Sequence, residues 1–390
     1  MKTYKKTKHF VIKIICLVWL LALGLPIAAN AQSPIVLPSG CAVGILPAYP
    51  ENQTILTCMP VSALNFNGTL VVYAHGYVSP QKSLELPWEE LEAFLPVVEI
   101  LLDNGMAFAT TSCSKNGYAI EQCGDNINDL VAFIEDQTPP GLPQKVLVAG
   151  ASEGAGVAAM LVEKYSDIYD GALTLCGPLG GMPYQINYLG DFRVVFDYFF
   201  PEVIPLDGIY DMTDVTLTEW DGIKAAILLA VNAQPDLAEQ VFKVTGAAGI
   251  PEFLGPSAVN ILKFSVLGTK DLVDTSGGRP FGNNWRWYRG SNDDRALNAG
   301  VERVKSTRQG RKYVRKYYNT TGDLQQPLVS LHTTQDDIVA YRHELLYKFK
   351  VLLQGNCRHF LSLPVIRFGH CNFEAIEVFG AFLMLAMMAD

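Results

Sequence analysis

The chain has 390 residues, is 49% hydrophobic and carries a formal net charge of −9. That length supports a large buried core, built as one elaborated domain or two. The acidic balance argues against a nucleic-acid partner, whose phosphates it would repel.

Lys5, Lys6, Lys8 and Lys13 precede an apolar core over residues 14–25, then Pro26 and the small run Ala28-Ala29-Asn30-Ala31. Charged, apolar and small segments in that order predict a secretory signal over residues 1–31, cleaved after Ala31. The alternative is a retained anchor, but the apolar core is short for a membrane span. No stable span is expected once the signal is removed, and the protein is expected to be secreted or periplasmic. Eight cysteines are present, and Cys16 leaves with the signal. None of the others has zinc-ligand spacing, and an oxidising compartment favours disulfides. Pairing by nearness in sequence gives Cys41–Cys58, Cys113–Cys123 and Cys357–Cys371, with Cys176 left as a core filler.

Residues 45–59, broken by Pro47, Pro50 and Asn52, predict an opening β-hairpin. Residues 70–74 read as a strand ending at His75-Gly76-Tyr77. A helix is expected over 89–102, a strand over 106–111 and a helix over 119–134. The elbow strand, its helix and a strand over 171–176 follow. Such alternation implies a mostly parallel, doubly wound α/β sheet with helices on both faces. The alternation lapses from about 182 to 326. Helices are expected there over 223–231, 237–244 and 296–307, with a loop over 277–292 that carries Trp285, Trp287 and Tyr288. Those three aromatics could form a platform for an aromatic or sugar-linked acyl group, although aromatics in such an insertion more often make its own core. The basic cluster over 303–316 reads as a solvated helix face. Strands return at 327–332 and 363–368, with helices over 341–353 and 373–388. The last is strongly apolar, but Glu374 and Glu377 and its length favour packing on the core.

The segment Gly150-Ala151-Ser152-Glu153-Gly154 joins an apolar strand to a helix of small residues. A serine hydroxyl becomes a useful nucleophile when it projects from a sharp turn toward a base, and the glycines allow the close approach this needs. Of six histidines, His9 leaves with the signal, His75 opens an upstream turn, His343 falls within a predicted helix and His359 lacks a strand–loop setting. His370 follows the last strand beside Gly369, where a loop can carry an imidazole to the elbow. Asp336, past the strand ending at His332, is the expected orienting carboxylate; Asp337 is its rival, and either could instead cap the next helix. The backbone N–H groups of Glu153 and Tyr77 are the expected donors to a developing oxyanion. The Glu153 side chain has no catalytic part in that scheme.

The order Ser152, Asp336, His370, with His75-Gly76 upstream, resembles the α/β-hydrolase superfamily. The segment His332-Thr333-Thr334-Gln335-Asp336-Asp337-Ile338-Val339 is similar to that family's His-Gly-x-x-Asp-x-x-Val acid loop, with Thr333 in place of Gly. Residues 170–173 and 296–300 resemble secreted bacterial members. His370-Cys371 is also similar to tannases and feruloyl esterases, in which a cysteine before the nucleophile bridges to one after the histidine; Ala151 stands at the first position here and excludes that bridge. The resemblance implies an α/β-hydrolase core over 32–181 and 327–390, with a largely helical cap over 182–326. The expected activity is a serine hydrolase cleaving a small-molecule or polymeric carboxylic ester through an acyl-enzyme. No cofactor or metal is implied. A peptidase using the same residues, or a binding protein on this fold without catalysis, are the alternatives.

Overall fold

Strands buried on both faces read as continuous apolar runs, and alternate side chains divide between two cores. In β3 (Thr69–Ala74), Leu70, Val72 and Ala74 point into one core, and Val71 and Tyr73 into the other. The computed structural model describes residues 35–46, 53–62 and 65–389, so the expected signal segment lies outside the described residues. β1 (Cys41–Leu46) and β2 (Gln53–Cys58) pair antiparallel, and β2 pairs antiparallel with β4 (Ala107–Thr111). β3, β5 (Lys145–Ala151), β6 (Gly171–Leu175), β7 (Leu328–Gln335) and β8 (Phe360–Phe368) complete one eight-stranded sheet in the order β1-β2-β4-β3-β5-β6-β7-β8. From β4 onward every pairing is parallel.

Three helices fill the first crossovers: α1 (Trp88–Asp103), α2 (Ile120–Gln137) and α3 (Glu153–Lys164). Ile127, Leu130, Val157 and Leu161 bring α2 and α3 onto one face of the sheet. Leu91, Val98 and Leu101 bring α1 onto the other. There α1 is joined by the last helix, α11 (Ala375–Met388), through Val378, Phe382 and Leu385. Among the described residues no helix is long and apolar enough to cross a membrane. This is an α/β-hydrolase fold.

Six helices lie between β6 and β7: α4 (Met182–Phe199), α5 (Leu217–Ala233), α6 (Pro235–Thr245), α7 (Leu254–Ser276), α8 (Asp294–Gly300) and α9 (Arg308–Tyr317). α10 (Arg342–Gln354) follows β7. Phe192, Phe196, Ile227, Phe242 and Ile261 pack this insertion into the same core that α2 and α3 cover. The helix expected over 296–307 is not continuous. It stops at Gly300 because Asn283 captures the chain beyond it: Val304 N–H donates to Asn283 Oδ1 at 2.9 Å, and Asn283 Nδ2 donates to the Glu302 carbonyl at 2.8 Å. Helix resumes after Thr307, whose hydroxyl accepts from Gly310 N–H.

Cys41–Cys58 and Cys113–Cys123 are disulfides, as nearness in sequence suggests. The third pairing departs from that expectation. Cys371 bonds Cys176, and Cys357 is exposed and free. Cys176 follows β6 and Cys371 follows β8, and parallel strands flanking β7 end on the same edge of the sheet. Their Cα atoms are 5.3 Å apart although 195 residues separate them in the chain.

Candidate active site

Ser152 stands between β5 and α3 with φ +53° and ψ −121°, a conformation that costs a non-glycine residue strain. Its neighbours enforce it. A Cβ on Gly150 would strike the Gly154 carbonyl, and one on Gly154 would strike the carbonyls of Ala74 and His75 at the end of β3. Ser152 N–H donates to the Leu175 carbonyl at 2.9 Å, which fixes the turn to β6.

The sheet order brings the ends of β7 and β8 to the same edge. Gly369, at φ +98°, turns the chain after β8; its N–H donates to the Gln335 carbonyl at 3.0 Å, and its carbonyl accepts the Thr333 hydroxyl at 2.7 Å. His370 then lies between the other two side chains. Its Nε2 is 2.9 Å from Ser152 Oγ and its Nδ1 is 2.8 Å from Asp336 Oδ2. Asp336 is fully buried, and its Oδ1 accepts the N–H groups of Ile338 and Val339 at 2.9 and 2.8 Å. Burial works to raise its carboxyl, but the charge of His370 and hydrogen bonds from His332 and His370 outweigh it and hold the group below the usual carboxylate range. Asp337 is engaged elsewhere: its Oδ2 accepts from Asn260 Nδ2 at 3.4 Å, its backbone carbonyl accepts the Tyr188 hydroxyl at 2.5 Å, and burial pushes its carboxyl up. Neither aspartate caps α10, whose preceding residue is Tyr341.

On the opposite side of Ser152 the loop after β3 is pinned by a carboxylate. Gly76 N–H donates to both oxygens of Glu90, at 3.0 and 3.1 Å, and the Tyr73 hydroxyl donates to Glu90 Oε1 at 2.5 Å. Gly76 N–H is thereby engaged within the protein. The Tyr77 ring packs against Tyr118 and Phe264, and burial raises its hydroxyl. Glu153 is the first residue of α3, where backbone N–H groups have no partner within the helix. Its side chain turns inward, accepts Ala119 N–H at 3.3 Å, and is pushed up to about 8 by burial. A cleft of about 400 Å³ opens over Ser152 and His370, with Phe94, Val97, Phe264, Phe373 and Val378 among its walls. Trp285 and Trp287 are not among that cleft's walls; both are exposed, and Tyr288 is buried within the insertion.

The remaining described histidines have structural partners. His75 Nδ1 lies 2.7 Å from the Gly76 carbonyl, His343 contacts Gln185 and Gly180 N–H, and His359 contacts the Leu324 carbonyl. His332 is different, and sequence reasoning passed over it as the end of a strand. It is fully buried directly behind Asp336, with Nε2 3.4 Å from Asp336 Oδ2 and Nδ1 3.2 Å from Glu344 Oε1. Its spacing of four residues from Asp336 was the available signal; Glu344 on α10 could not be read from it. Among the described residues two histidine–cysteine groupings come close enough to suggest a metal, His75 with Cys113 and Cys123, and His370 with Cys176 and Cys371. In both, the sulfurs are consumed in a disulfide, which leaves no thiolate to ligate.

No family model matches the chain, and no curated protein matches it. Solved structures with a similar chain path include an esterase from Pyrococcus furiosus, at 14% identity and TM-score 0.48, over 94% of this chain and 97% of that one. Est1E from Butyrivibrio proteoclasticus is similar at 13% identity and TM-score 0.40, over 89% and 99%. The acylaminoacyl peptidase of Pyrococcus horikoshii is similar at 10% identity and TM-score 0.45, over 90% of this chain. This chain spans about 41% of that peptidase's length. Likeness at this level says nothing of activity.

Proposed function

We propose that this protein is a secreted serine hydrolase that cleaves carboxylic esters. The observation that carries the reading is the continuous hydrogen-bonded line from Ser152 Oγ through His370 to the buried Asp336, starting from a strained backbone turn. Ser152 Oγ attacks the ester carbonyl carbon while His370 Nε2 takes its proton, and Asp336 stabilises the resulting imidazolium. The N–H groups of Glu153 and Tyr77 receive the oxyanion. Engagement of Gly76 N–H by Glu90 favours the next amide, Tyr77, as the second donor. His370 then protonates the departing alcohol, and water, deprotonated by His370, releases the acyl group from Ser152.

The helical insertion over 182–326 acts as a cap in this reading, supported by Phe264 of α7 standing in the wall of the cleft. The apolar lining favours an uncharged acyl group. Three disulfides support an extracytoplasmic setting, in line with a cleavable segment over 1–31. The test is labelling by a fluorophosphonate, with hydrolysis of short p-nitrophenyl esters and of aminoacyl anilides measured in parallel. Wild type is expected to be labelled and to turn over the esters, and Ser152→Ala to lose both, by about 10⁴-fold or more in kcat. Labelling that persists in Ser152→Ala would overturn the nucleophile. Anilides cleaved faster than esters would make the protein a peptidase.

A further inference from the structure

Behind the Ser152–His370–Asp336 line stands a second imidazole with an oxygen against each ring nitrogen. His332 Nε2 faces the Val339 carbonyl at 2.9 Å and Asp336 Oδ2 at 3.4 Å. A carbonyl can only accept, so Nε2 carries a proton. Nδ1 faces Glu344 Oε1 at 3.2 Å. Glu344 already accepts the Ser330 hydroxyl on Oε1 at 2.7 Å and the Ser362 hydroxyl on Oε2 at 2.6 Å, the pattern of a carboxylate. Nδ1 therefore donates as well. Hydrogen on both ring nitrogens satisfies every acceptor around the ring, and a ring so protonated is a cation.

We infer that His332 is a buried imidazolium, held between Asp336 and Glu344, that keeps Asp336 ionised and oriented and moderates how strongly His370 holds its proton. The inference rests on the hydrolase reading for its consequence but not for its charge. Burial alone would discharge the ring; the hydrogen bonds it donates to Asp336 and Glu344, and their charges, outweigh burial and lift His332 to about 10. The groups around it agree. Its own loop supplies Asp336, and α10 supplies Glu344 and His343; burial keeps His343 well below the usual range, and therefore neutral. The Tyr341 ring meets it edge-on, and β8 contributes the Ser362 hydroxyl through Glu344.

The charge count shows what the cation does. With His370 neutral, the buried row Asp336, His332, Glu344 sums to one negative charge. When His370 takes the serine proton, that row and His370 together sum to zero, so the array is neutral where the reaction needs it most. Without the imidazolium an extra negative charge would face His370, which would hold its proton to higher pH and act as a base over a narrower range. His332 touches no reacting atom. It is a positioning residue, acting through Asp336.

Two measurements test this. The first is the pH dependence of kcat/KM for a p-nitrophenyl ester by wild type and His332→Gln. The acid limb should move to higher pH by about one unit in the variant. A limb that stays in place, with rate lost equally at every pH, would mean a packing role and overturn the inference. The second needs no variant: ring-nitrogen NMR of wild type labelled at histidine. It should show His332 protonated on both nitrogens from about pH 5 to about pH 9. One bare nitrogen near neutral pH would overturn the inference even if His332→Gln does not fold. Failure of the hydrolase reading is separately visible, as wild type without turnover or fluorophosphonate labelling, and the NMR result would stand apart from it.

Discussion

Glu153 follows the elbow serine and is the least comfortable carboxyl in the site. It is half-buried, with Ala119 N–H as its one hydrogen-bond donor within reach among the described residues, and Asp271 adds repulsion. Its folded-state pKa of about 8 lies above the usual carboxylate value. Between those two values the folded state binds a proton that the unfolded state has released. Stability contributed by this group is thus present at low pH and lost as pH rises toward 8, at up to about 1.4 kcal/mol per pH unit. Urea unfolding at about pH 6 and about pH 8 should show wild type losing more stability than Glu153→Gln. Equal losses would remove Glu153 as the cause. At this scale the sequence is most legible where chemistry coincides with a strand end: Ser152, Asp336 and His370 each sit just past one. His332 is not legible in the same way, because its charge depends on Glu344, which tertiary packing delivers from another element.

Among elements, the link between the ends of β6 and β8 matters most. Cys371 directly follows His370, and its bond to Cys176 ties the imidazole's loop to the strand that anchors Ser152 N–H. Replacing both Cys176 and Cys371 by alanine should destabilise the fold by about 2–5 kcal/mol, given the long loop the bond closes. It should also lower kcat more than it changes KM, because the imidazole's position rather than the cleft is loosened. Denaturant titration and steady-state kinetics on the variant check the two parts. An unchanged kcat would separate the disulfide from the chemistry. Reading the sequence linearly pairs Cys371 with Cys357, since neighbours along the chain are the default when strand order is unknown. α7 is hard to read for a related reason. Its buried face includes Gly255, Ser257, Ser265 and Gly268, which dilute the apolar periodicity that marks a helix. The break after Gly300 is set by Asn283, a contact no local pattern encodes.

For the whole molecule, the sheet core is legible because alternating segments leave few ways to bury both faces, whereas the insertion has no such repeat to follow. Specificity is expected to reside where the insertion meets the cleft. Phe264→Ala should enlarge the space over Ser152 and improve kcat/KM for longer acyl esters relative to short ones by about tenfold. Replacing Trp285 and Trp287 should leave that ratio unchanged, because neither side chain lines the cleft. A series of p-nitrophenyl esters of increasing chain length measures both, and a shift produced by the tryptophan changes alone would move specificity to the outer surface of the insertion.

Ser152 and His370 are 218 positions apart along the chain, with the whole insertion between them. During synthesis the hydroxyl emerges from the ribosome long before its base exists. If the proposed hydrolase reading holds, a half-made polypeptide has no hydrolytic capacity until the final strand has been added.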